Sequence, residues 1–97
     1  GEYIESPGDL LILGDVNPGA KVSAEGNIII WGRLLGIAHA GSEGNSKATI
    51  SALQLRPVQL RIAKKVARGP KEKPQLGLAE QARIYADEII ISPLETT

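Results

Sequence analysis

The chain has 97 residues, enough for one domain with a modest core, and it is 42 % hydrophobic and 23 % charged. Eleven basic and eleven acidic residues cancel, which excludes the strong positive field of a nucleic-acid binder. Cysteine is absent, so disulfide frameworks and thiolate metal sites are excluded. The apolar runs are four or five residues long, far short of the roughly 20 that span a bilayer. No signal peptide is visible, and a start at Gly1 without methionine reads as a fragment or trimmed domain. Eleven glycines and six prolines, with no Phe or Met, favour β structure with tight corners over a helical bundle.

Taken in chain order, the first segment repeats. Gly8-Asp9-Leu10-Leu11-Ile12-Leu13-Gly14 realigns 18 residues later with Gly26-Asn27-Ile28-Ile29-Ile30-Trp31-Gly32, and Ala20-Lys21-Val22 with Ala38-His39-Ala40. A period of six lies inside it: Leu10, Val16, Val22, Ile28, Leu34 and Ala40, each with a small residue two places ahead. Three sixes make one turn of a three-sided coil, with short strands for sides and small residues at the corners. The sequence therefore predicts an all-β fold, a parallel β-helix of about four turns.

Parity supports the coil. Between Gly8 and Ala52 the charged residues are Asp9, Asp15, Lys21, Glu25, Arg33, Glu43 and Lys47, all odd. Alternate side chains of a strand point to opposite faces. Even positions are then interior: Leu10, Ile12, Val16, Val22, Ala24, Ile28, Ile30, Leu34, Ala38, Ala40, Ala48 and Ile50. The third turn reads as carrying a two-residue insertion at Gly41 to Asn45, which makes the offset 20 and aligns Ile28/Ile30 with Ala48/Ile50. Val58 to Ala67 is ambiguous, with a strand favoured for its first half. Gly69 to Gln81 reads as a loop within a single domain spanning 1–97. Ala82 to Ile91 reads as an incomplete last turn, with Ala82, Ile84, Ala86, Ile89 and Ile91 pointing inward.

Some odd positions are apolar. Leu11, Leu13, Ile29, Trp31 and Ile90 fall at equivalent places on successive turns and are expected to stack into one outer patch, with Thr49 and Ser51 as its polar edge. An apolar patch of that kind is an interface, unless the chain's own Pro74 to Leu78 covers it. Leu35 and Ile37 are also outward and apolar, on another side. His39 is the only histidine and nothing marks a partner for it, so no catalytic, metal or cofactor site is expected. Asp9, Asp15, Glu25 and Glu43 read as solvated corner residues, and Lys64, Lys65, Arg68, Lys71 and Lys73 as a solvated basic loop.

The stretches Gly8 to Ala20, Gly26-Asn27-Ile28, Trp31 to Gly41, Gly44-Asn45 and Leu55 to Ala63 resemble the C-terminal domain of the bacterial septum site-determining protein MinC. The resemblance covers the chain apart from 69 to 81. It implies a right-handed parallel β-helix without enzymatic activity, which dimerises through one apolar side, here Leu11, Leu13, Ile29, Trp31 and Ile90. It implies as partners the ATP-bound, membrane-attached ATPase MinD and the tubulin-like FtsZ, whose assembly the family inhibits, with no nucleic acid. It implies a cytoplasmic protein brought to the inner membrane face by its partner. The resemblance also implies an N-terminal domain, which is expected to lie outside this stretch. A family MinD-binding motif, Arg-Ser-Gly-Gln, ends at Gly1-Glu2, with its first two residues missing and Glu as its last, which implies weakened binding. Gly19 and the Gly41, Gly44, Asn45 corner carry over as further contact positions. By coil arithmetic alone, a hexapeptide-repeat acyltransferase and a bactofilin-like structural β-helix also fit.

Overall fold

The computed structural model describes residues 1–69 and 79–94. Every regular element among them is a strand. Strand β1 (Tyr3–Ser6) is followed by β2 (Leu10–Leu13), β3 (Lys21–Ala24), β4 (Ile28–Leu34), β5 (Ile37–Ala40), β6 (Ile50–Leu55) and β7 (Gln59–Ile62). Then come β8 (Lys65–Ala67), β9 (Glu80–Tyr85) and β10 (Glu88–Pro93). The chain winds as a β-solenoid. One side, sheet A, has the order β1-β3-β5-β7-β8, and a second, sheet B, the order β10-β9-β6-β4-β2. The third side is short: Val16 bridges Leu34, and Leu34 pairs with Leu55.

The coil completes three turns rather than the expected four, and then hairpins close it. The chain reverses after β7, with Ala63 at φ 52°, so β8 returns antiparallel on sheet A. On sheet B the last turn expected from the sequence is a second hairpin, β9 and β10 antiparallel to each other and β9 antiparallel to β6. Glu80 and Gln81 belong to β9 and not to the loop. Val58 to Ala67 forms β7 and β8, strand on both sides of its turn. Ala86 is exposed in the β9–β10 turn instead of interior. The suggested cover, Pro74 to Leu78, lies outside the described residues, as do Lys71 and Lys73.

Burial follows parity. Val16, Val22, Ala24, Ile28, Ile30, Leu34, Ala38, Ala40, Ala48 and Ile50 are buried, and they form one core with Leu55, Leu60, Ile62 and Ala82. Leu10 and Ile12, on the first turn, are only half-buried. Of the seven odd charges six are exposed; Lys21 is half-buried, its ammonium 5.6 Å from the Tyr3 ring centre.

Register differs from the sequence alignment. Val22 pairs with Ala38, an offset of 16 and not 18. Ile28 pairs with Ile50 and Ala38 with Leu60, an offset of 22 and not 20. The corner before β5 is two residues shorter than its predecessor, and the corner before β6 is six residues longer than the one before β4. That longer corner tucks Ala48 inward and leaves Gly44 and Asn45 exposed. Between Ile30 and Arg33 the ladder shifts, so Trp31 and Gly32 oppose the single residue Leu53. This is a β-bulge. Beyond it Leu34 pairs with Leu55, an offset of 21, so odd-numbered Leu55 is interior, while Leu60 and Ile62 return to even positions.

Candidate functional site: an apolar sheet face and two glycine corners

The outer face of sheet B carries the apolar patch. In the ladder Leu11 lies beside Ile29 and Leu13 beside Trp31. All four are exposed, Leu13 at 80 % and Trp31 at 62 %. Large side chains in this number on one outward face are not needed by the core beneath, since the inward residues Ile28 and Ile30 are already sealed. The patch extends further than the sequence reading allowed. With the true offset, Ile29 faces Ser51, and Leu53 follows on the same face, 36 % exposed. Leu53, not Thr49, therefore continues the apolar surface. Thr49 belongs to a polar ladder at the corner between sheets A and B, where Asn27 N–H donates to Asp9 Oδ1 at 2.8 Å and Thr49 N–H to Asn27 Oδ1 at 2.9 Å.

Ile90 is separated from the other four. It lies on β10 beside Arg83, with β9 and β6 between it and β4, and is half-buried. Gln81 Nε2 donates to Ser51 Oγ at 3.2 Å in the intervening stretch. The structure thus gathers Leu11, Leu13, Ile29, Trp31 and Leu53, and puts Ile90 at the opposite edge of the same sheet.

The other border of the patch is an ion pair. Arg33 Nε and Nη2 donate to Asp15 Oδ2 at 3.1 and 2.7 Å, while Arg33 N–H donates to Asp15 Oδ1 at 2.8 Å. The side-chain bond to Arg33 holds the Asp15 carboxyl below its ordinary value, and the same bond raises the Arg33 guanidinium. An apolar centre bounded by hydrogen-bonded polar ladders has the anatomy of a protein interface, apolar within and polar at the rim.

The six glycine-corner residues fall into two groups. Gly1 is seated against the Gly19 carbonyl, so closely that a side chain at residue 1 would collide with it. Glu2 is adjacent, and its carbonyl accepts the Lys21 N–H at 2.8 Å. Gly19 adopts φ +90°, and a side chain there would meet no atom within 4 Å. Gly1, Glu2 and Gly19 therefore share the corner at the entry to sheet A, beside a concavity of about 220 Å³ lined by Glu2, Asp15, Asn17 and Pro18. Gly41, Gly44 and Asn45 sit at the exit of sheet A, one four-residue strand away. That is about 13 Å at the usual rise. The structure does not bring the two groups together.

His39 faces outward from β5, half-buried, with Nε2 3.0 Å from the Ala63 carbonyl oxygen. Its role there is to tie β5 to the turn that ends the coil. Leu35 and Ile37 are half-buried on the third side and on sheet A. Among the described residues no three His, Cys, Asp or Glu side chains cluster as metal ligands, and no helix is long and apolar enough to cross a membrane.

Comparison with known proteins decides the family. The model of "Septum formation inhibitor MinC, C-terminal domain" matches residues 1–94. The chain belongs to the MinC C-terminal domain family. A probable septum site-determining protein MinC of Prochlorococcus marinus is 69 % identical over the whole chain, which spans 44 % of that protein. The corresponding protein of Clostridium acetobutylicum is 45 % identical over 96 % of the chain, again spanning 44 % of the relative. This MinC C-terminal domain thus spans less than half the length of the curated relatives it matches. Its fold matches a chain of the MinC:MinD cell division protein complex of Aquifex aeolicus with a TM-score of 0.91 at 44 % identity, covering all of this chain and 80 % of that one.

Proposed function

We propose that this domain is a non-catalytic dimerisation and partner-binding module of a division inhibitor. Two copies meet through the outer face of sheet B, and the ATPase MinD docks at the corner holding Gly1, Glu2 and Gly19. The observation that carries the partner is the close structural likeness to a protein solved in complex with MinD. Dimerisation is carried by the exposed cluster of Leu11, Leu13, Ile29, Trp31 and Leu53. One surface cannot serve a standing dimer and a nucleotide-controlled partner at once, and the entry corner lies on the far side of the third side from sheet B. Family membership supports the wider reading proposed here, in which the domain contributes to inhibition of FtsZ assembly, works in the cytoplasm and reaches the membrane through MinD.

At Gly19 the left-handed backbone alone would strain most side chains, so the test uses two substitutions. Gly19→Asn suits that conformation, adds no charge and should leave co-sedimentation with ATP-loaded MinD within about twofold. Gly19→Asp adds a charge pointing into open space and should lower it about tenfold or more, a cost of about 1.4 kcal/mol. Equal binding by both variants and the parent would remove the corner from the site.

A further inference from the structure

The chain is neutral overall, but its charges are segregated along the coil. Through Thr49 it holds six acidic and three basic residues. From Ile50 to Gly69 it holds five basic residues and no acidic one. That stretch supplies β6, β7 and β8, so the end of the coil is basic. What reads in the sequence as a solvated basic loop is partly strand, the outer edge of sheet A. Two of the five cations are answered by acids: Arg56 lies 3.8 Å from Glu80 and Lys65 3.9 Å from Asp87. Among the described residues Arg61, Lys64 and Arg68 are in no ion pair.

These three flank one exposed valine. Leu60 and Ile62 point into the core, so Arg61 between them points out. Val66 pairs with Arg61 from β8 and is 54 % exposed. Lys64, in the turn before β8, and Arg68, directly after it, are both exposed. Arg61 is half-buried, with Nε enclosed and no acceptor for it, so the fold does not neutralise its charge from within. Across the sheet the same outward row runs through His39 and Ser23 to Glu5, three strands from Arg61. At the usual strand spacing that acid is about 14 Å away, beyond a Debye length at physiological salt.

We propose that this edge of sheet A, with Arg61, Lys64, Val66 and Arg68, rests directly on an anionic lipid surface. Lys64 and Arg68 are four residues apart along nearly extended chain, about 13 Å. Cations so spread do not converge on one carboxylate or phosphate; a plane of many anions serves all three. Val66 between them supplies what an interfacial contact adds to charge, an apolar side chain to bury among the headgroups. Each cation at such a surface strengthens binding about fivefold, so three give about a hundredfold. That is enough to hold and orient a domain already brought to the membrane, and too little to anchor it alone. The contact goes beyond recruitment by the ATPase and does not depend on it, since the proposed docking corner lies on the first turn and this edge on the last.

Co-sedimentation of this chain with vesicles, with no other protein present, tests it. At low salt the chain should pellet with an excess of vesicles made of equal parts phosphatidylcholine and phosphatidylglycerol, and not with phosphatidylcholine alone. Lys64→Gln combined with Arg68→Gln should lower that binding about twentyfold. Lys47→Gln combined with Arg83→Gln removes the same charge from exposed positions elsewhere and should leave binding within about twofold. Equal losses in the two double variants would mean that net charge alone attracts the chain, and would overturn the proposal. Failure to pellet with the anionic vesicles overturns it as well, and retention on a poly-glutamate resin in that case would make an acidic protein the occupant.

Discussion

Ile28 is the residue on which the core depends most visibly. It lies mid-coil between Leu10 and Ile50, fully buried. Ile28→Ala should cost about 2–5 kcal/mol, the usual range for emptying such a site, read as a fall in the urea midpoint at unchanged slope. Asp15 makes the contrasting case at the surface. Its carboxyl is held below the ordinary value near 3.9 chiefly by the Arg33 side chain. A carboxyl lowered on folding stabilises the fold above its unfolded value, and the gain disappears as pH falls through the lower folded value. Stability of the parent should therefore drop more steeply than that of Asp15→Asn as pH is lowered from 5 toward 2. The amide keeps an oxygen for the Arg33 N–H but has no charge to lose. With Arg33 and Asp15 side chains 53 % and 30 % exposed, the difference should be small and should shrink in high salt. Parallel pH profiles for the two proteins would contradict the assignment.

At the scale of elements, the hairpin that closes sheet B carries strain. Ala86 and Asp87 both have positive φ, 50° and 68°, the conformation of a two-residue type I′ turn, which favours Asn-Gly. Replacing the pair by Asn-Gly should raise stability by about 1 kcal/mol, measured by thermal unfolding; a fall would mean that the Lys65–Asp87 pair, 3.9 Å apart, matters more than the backbone. The same hairpin shows where the sequence stopped being legible. Ala82 to Ile91 alternates like an earlier turn, and periodicity is blind to strand direction, so it read as parallel coil. Inside and outside were legible because the slips of register, 16 for 18 and 22 for 20, are even. A one-residue slip reverses the faces; a two-residue slip preserves them. The bulge at Trp31 and Gly32 is the odd step, and it hid Leu55 from the core and Leu53 from the apolar patch. β1 was missed because only four residues carry it and half of them are polar. The corner residues were carried by family resemblance, and the roughly 13 Å between their two groups could not be read from spacing along the chain.

At the scale of the molecule, the three sides divide the work. Sheet A and the short third side meet at the corner proposed for the ATPase, and Asp15 lies between that corner and the apolar face of sheet B. Each strand in the coil spends its inward residues on the common core, so outward residues can change without unfolding the domain. If the sheet B face joins two copies, sedimentation equilibrium of Trp31→Asp at micromolar concentration will show it. A two-fold dimer places the substituted residue in both chains, and a charge forced into the desolvated centre is felt twice. The expected result is a folded monomer, with the circular dichroism of the parent, from a parent that sediments as a dimer. A variant that remains dimeric at that concentration, or a parent that is itself monomeric, would mean that the sheet B face is not the dimer seam.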